Sequence, residues 1–123
     1  MTKKSTIIIG IVFLLVGILG FFNNPIVGSE GYFITNLSHD LVHLLTGLAL
    51  LFVGLKTKNS SLALKIFGLV YLLVAVLGLL VTQETGSGHL LGFIHINGTD
   101  NWLHLILGIV IFLLGARGDS EMM

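Results

Sequence analysis

The sequence predicts an all-α fold: a four-helix transmembrane bundle made of two tandem helical hairpins, with pseudo-two-fold symmetry along the membrane normal. Three observations predict it. Of 123 residues, 54% are hydrophobic and only 10% charged, and the mean hydropathy of +1.03 lies far from that of a soluble domain. The apolar residues fall into four unbroken runs, separated by polar, glycine-bearing stretches. Glycine and histidine positions in the first two runs recur at near-constant offsets in the last two.

The hydrocarbon core of a bilayer is ~30 Å thick and takes about 20 mostly apolar residues of helix to cross. Four segments meet that length: Thr6 to Phe22, Leu37 to Leu55, Leu62 to Val81, and Thr99 to Ala116. They are too long and too continuous for barrel strands, which alternate over about ten residues. The only proline, Pro25, lies just past the first run, where a helix can end without losing an internal hydrogen bond. No small-residue cleavage site follows that run, so it reads as a span rather than a secretory signal. One transmembrane domain over 1–123 is expected, with repeat 1 at about 6–56 and repeat 2 at about 62–116.

Direction follows from the basic residues, because Lys and Arg in short loops stay on the cytoplasmic side. Lys3 and Lys4 precede the first run, Lys56, Lys58 and Lys65 flank the second turn, and Arg117 follows the fourth. All six basic residues therefore lie on one side. Both termini are expected in the cytoplasm and the long loops, Asn23 to Asn36 and Thr82 to Gly98, outside. Tyr32, Phe33, Phe93 and Trp102 then occupy an outer aromatic belt, in the inner (plasma) membrane of a cell.

The repeat rests on glycines more than on leucines, which match cheaply between membrane helices. Laying Gly10 to Phe22 over Gly68 to Leu80 pairs Gly10 with Gly68, Phe13 with Tyr71, Gly17 with Ala75 and Gly20 with Gly78. A second overlay pairs Asn36 with Asn97, His43 with His104, Gly47 with Gly108 and Gly54 with Gly115. Each copy holds an even number of spans, so both enter the membrane the same way and the axis runs along its normal. Small residues two turns apart give every helix a seam for close packing.

All five histidines fall on the outer side of this topology. His39, His43 and Gly47 succeed one another at i, i+4, as do Asp100, His104 and Gly108, so the imidazoles share the glycine face that looks into the bundle. Two functional readings follow. His39, His43, Asp100 and His104 form a ligand set for a divalent transition metal, with Asp40 and Asn101 placed to orient imidazole N–H groups. Alternatively, His43 and His104 hold a haem between them beside glycines that make room for it. The structural reading is equally direct: Asn36, Ser38, Asp40, Thr99 and Asp100 are helix-start residues, and the imidazoles hydrogen-bond to neighbouring backbone. His89 and His95 read as solvated loop residues.

Zero formal charge and the lack of a basic groove argue against nucleic acid, and the absence of cysteine removes disulfides and thiolate ligands. No phosphate-binding glycine loop, His-Glu-x-x-His or serine triad is present.

The segments NLSHDLVHLLTG (Asn36 to Gly47), GLVYLLVAVLG (Gly68 to Gly78) and INGTDNWLHLILG (Ile96 to Gly108) resemble a family of short bacterial four-helix membrane proteins defined as a domain of unknown function. The resemblance covers most of Gly10 to Gly115 and implies a multi-pass membrane protein, without implying a reaction. Family members often carry Asn where this chain has Asp40.

The expectation is thus a non-enzymatic multi-pass membrane protein with a structural His/Asp cluster at the outer ends of helices 2 and 4. The alternative is a metal- or haem-binding membrane protein using His43 and His104 with His39 and Asp100. Its expected partners are the lipid bilayer and either a second copy or another membrane protein.

Overall fold

In a computed structural model, residues 2–83 and 85–118 are described. They form four α-helices long and apolar enough to cross a membrane: α1 (Thr2–Leu19), α2 (Leu37–Lys56), α3 (Ser60–Val81) and α4 (Gly98–Ala116). The protein is an all-α, multi-pass membrane protein, as its composition predicts. Lipid is the natural solvent for the many exposed leucines, isoleucines and valines along these helices.

The closest helix contacts lie within the two hairpins, α1 with α2 and α3 with α4. Glycine makes them possible. A Cβ at Gly47 would lie 2.7 Å from the Gly10 carbonyl oxygen, and one at Gly108 would lie 3.0 Å from the Gly68 carbonyl oxygen. Nearer the loop-bearing end, the Asp40 carboxylate fills the space a side chain at Gly20 would need, and the Asn101 amide does the same at Gly78. Between the hairpins, Phe13, Leu50, Leu64, Tyr71 and Ile111 make the apolar core.

At the other end the Thr2 hydroxyl of α1 donates to the Gly118 carbonyl beyond α4, and Ser61 Oγ of α3 donates to the Gly115 carbonyl of α4 at 2.6 Å.

The first helix stops earlier than its apolar run. The Asn24 amide explains this, because its Nδ2 donates to the carbonyls of Leu19, Phe22 and Val27 while its Oδ1 accepts from the backbone of Ile26 and Val27. One side chain thus satisfies the groups of a tight turn that replaces the last helical turn. The first helix also begins four residues earlier, at Thr2 rather than Thr6, and the boundaries of the other three helices differ from expectation by two residues or fewer, as frayed ends do.

Both long loops carry extended structure that hydropathy did not suggest. β1 (Val27–Gly28) and β2 (Phe33–Ile34) form a short parallel bridge, and β3 (Ser87–Leu90) and β4 (Ile94–Asn97) an antiparallel hairpin. The hairpin turns through residues 91–93, where Leu91 and Gly92 have φ of +54° and +85°, successive positive values that reverse the chain. Its underside is apolar: Leu90, Ile94 and Ile96 pack against Val74 and Leu77 of α3 and roof the bundle.

Candidate metal centre

Asn36 and Asn97 start the two histidine-bearing helices. Each caps its own helix, accepting from the backbone N–H of His39 and Asp100 respectively, and each donates across to the other loop. Asn36 Nδ2 donates to the Phe93 carbonyl at 2.9 Å, and Asn97 Nδ2 donates to the Tyr32 carbonyl at 3.0 Å. Asn36 Oδ1 also accepts from His95 N–H at 3.2 Å. The helix starts and the roof above them are therefore fixed to each other.

Beneath that roof three imidazoles converge. His39, His43 and His104 are all buried, and one ligand atom from each lies within 4.8 Å of the other two. Ring centroids are 4.5 Å apart for His39 and His43, 5.6 Å for His39 and His104, and 6.2 Å for His43 and His104. Phe13 and Tyr71 pack against the group, with ring centroids 5.9 Å from His43 and 5.5 Å from His104. The Tyr71 hydroxyl hydrogen-bonds Thr46 Oγ1 at 3.0 Å.

His39 has a defined tautomer. Its Nδ1 lies 2.8 Å from the His95 carbonyl oxygen. A carbonyl only accepts, so Nδ1 carries the proton and in the neutral ring Nε2 holds the free lone pair. His43 Nδ1 and both nitrogens of His104 have no hydrogen-bond partner among the described residues, although both side chains are buried. A buried polar group without a partner costs about 1–3 kcal/mol.

The remaining proposed ligand, Asp100, and the residues proposed to orient the imidazoles, Asp40 and Asn101, make other contacts. Asp100 lies outside the group of three, and its Oδ2 accepts from Asn97 N–H at 2.9 Å to close a capping box. Asp40 faces Gly20, and Asn101 Nδ2 donates to Thr82 Oγ1 at 2.8 Å, so neither is turned to an imidazole N–H. His89 and His95 are cross-strand partners on the hairpin, with rings stacked 4.5 Å apart at 9°. Burial, and then the neighbouring His89, hold the His95 side chain below the usual imidazole range. The sequence reading had placed Tyr71 only as the counterpart of Phe13, and had assigned no role to the main chain of His95.

Four apolar spans with a buried polar cluster under one end define a small helical integral membrane protein. The chain matches the model of DUF4383, a domain of unknown function, over residues 3–117, and it belongs to that family. No curated protein and no solved structure matches it.

Proposed function

We propose that this is a metal-binding membrane protein in which His39, His43 and His104 hold one divalent transition-metal ion. The observation that carries the reading is the convergence of three buried imidazoles, two of which hold ring nitrogens with no hydrogen-bond partner among the described residues. A structural polar network satisfies its members, and this one leaves three ring nitrogens unpaired. A metal ion accepts one lone pair from each neutral imidazole.

Tetrahedral ligation with bonds of about 2.0–2.1 Å puts nitrogens roughly 3.3 Å apart. Ligand atoms already within 4.8 Å reach that spacing by small ring rotations. The His39 tie to a backbone carbonyl is the kind of outer contact that orients metal-bound imidazoles. Three neutral nitrogen ligands suit zinc, copper, nickel or iron(II), and leave a fourth position open.

Haem between His43 and His104 is less well supported. His39 stands beside both rings, and the cavity touching all three imidazoles has a volume of about 80 Å³, against the 300 Å³ or more of a typical pocket for a sizeable ligand. Asp100 serves as a helix cap in this reading and supports the site through α4.

The same reading places the protein in the plasma membrane with termini cytoplasmic and the histidines outward, supported by all six basic residues flanking the opposite end. The internal two-fold relation is supported by matching contacts, Asp40 on Gly20 with Asn101 on Gly78, and the reciprocal reach of Asn36 and Asn97.

Elemental analysis of protein purified without chelator tests the proposal. One equivalent of transition metal is expected, lost in His43→Ala and His104→Ala and kept in His89→Ala. Metal-free protein that also takes up no zinc, copper, nickel or iron on dialysis would sink it.

A further inference from the structure

The histidine group is closed toward its loop-bearing end and open toward the membrane flank. Above it Leu90, Ile94 and Ile96 form an apolar roof, bound down by Asn36. Beside it, between α2 and α3, the cavity of about 80 Å³ reaches all three imidazoles together with the hydroxyls of Thr46 and Tyr71. Its rim includes Val42 and Val70, whose side chains are 37% and 45% exposed on the faces of helices that cross the membrane. A second, larger cavity of about 230 Å³ between α1 and α4 meets only His43 of the three.

We infer that a single-chain amphiphile dissolved in the bilayer enters between α2 and α3 and presents a small hydroxyl or carbonyl terminus to the histidines, Thr46 and Tyr71. Size selects the chain form. Benzene occupies a dry cavity of roughly 150 Å³, so a ring is too large for 80 Å³, whereas the last few atoms of an extended chain fit. Polarity selects the terminus. The walls are valines, a phenylalanine and the leucine and isoleucines of the roof, and the polar groups are the imidazoles with the Thr46 and Tyr71 hydroxyls, so an apolar body with one polar end matches both.

The inference rests on the metal reading for one detail, that the terminal oxygen takes the open fourth position. The route itself does not need the ion. A water-borne ligand would have to cross the apolar roof, and a lipid-borne one passes only side chains already in contact with lipid.

The test uses the protein loaded with Co(II) in lipid nanodiscs, probed with 1-octanethiol and with 2-mercaptoethanesulfonate, a thiol that stays in water. Octanethiol binding, with loss of the thiol proton to solvent, should produce a thiolate-to-cobalt charge-transfer band. The sulfonate at equal concentration should produce less than a tenth of it. Val70→Trp, which fills the mouth from a lipid-facing position, should suppress the octanethiol band at least tenfold while the cobalt d–d bands persist. Equal response to the two thiols, or a response unaffected by Val70→Trp, overturns lateral access.

A metal-free arm separates the two readings. A decanol carrying a photoactivated diazirine next to its hydroxyl should label Thr46, Tyr71 or His43 in the original protein and not in Val70→Trp. Labelling confined to exposed helix faces overturns the route. Cavity labelling without any cobalt bands leaves the route standing and removes the metal.

Discussion

His39 and His95 meet through main chain rather than through side chains: the His39 ring donates Nδ1–H to the His95 carbonyl oxygen at 2.8 Å, while the His95 ring stacks away from it on His89. The roof hairpin therefore sets which nitrogen of His39 faces the other two imidazoles. Side-chain NMR of ¹⁵N-histidine protein should show Nδ1 protonated for His39 in the metal-free state at pH 7.5. A dominant Nε2–H tautomer would break the link between roof and site.

The same hairpin carries a pH dependence. The His95 ring sits below its ordinary range, first through burial and then through His89, so its folded-state value is under the unfolded value of about 6.5. A group depressed in this way adds stability that is full above 6.5 and is lost as pH falls toward the folded value. Hydrogen exchange of the 87–97 hairpin should accelerate between pH 7 and pH 5 more than exchange in the helices. His89→Gln should reduce that acid sensitivity in part, since burial remains. Equal acceleration in hairpin and helices would contradict the assignment.

Side chains packed onto bare backbone make Gly20 and Gly78 sensitive to an added methyl group. Gly20→Ala forces the Asp40 carboxylate to move and Gly78→Ala displaces the Asn101 amide, and overpacking of this kind costs about 1–3 kcal/mol. Gly98→Ala has open space and should be neutral within about 0.5 kcal/mol. Thermal or denaturant unfolding in a fixed detergent measures all three.

The Thr46–Tyr71 hydroxyl pair ties α2 to α3. Tyr71→Phe leaves a buried hydroxyl with one partner fewer and should cost about 1 kcal/mol, and Thr46→Val should cost about the same. The double variant should fall short of the sum by about 0.5–1.5 kcal/mol, the coupling a direct hydrogen bond contributes. Strict additivity would show that the pair does not hold the hairpins together.

Much of this was legible because one physical signal dominated. Lipid demands long apolar helices, so the four runs gave four helices, and i, i+4 spacing put His39 and His43 on one buried face with Gly47. The caps were legible as well: Asn36 and Asn97 behave as helix-start residues do. Spacing alone could not decide the competition for Asp100. A carboxylate one turn before His104 suits ligation and capping equally, and in the structure its Oδ2 accepts from the N–H that the extended backbone at Asn97 presents.

The hairpin was missed for a different reason. Its turn, Leu91-Gly92, lacks the Asn-Gly or Asp-Gly that marks such loops, although the alternation of Ile94, His95 and Ile96 was a strand signal in plain view. Tyr71 was hidden because pairing it with Phe13 explains only an apolar ring and not the hydroxyl.

The origin of the three imidazoles in the chain bears on how the protein is made. Two come from α2, near the first third of the sequence, and the third comes from α4, the last helix. During synthesis the first hairpin enters the bilayer with its pair of histidines incomplete, and the asparagine ties that fasten each loop to the other cannot close until α4 follows. On the proposed reading, loading is thus a late event in biogenesis, and a ribosome stalled before Gly98 leaves a chain already in the membrane with only two of the three imidazoles.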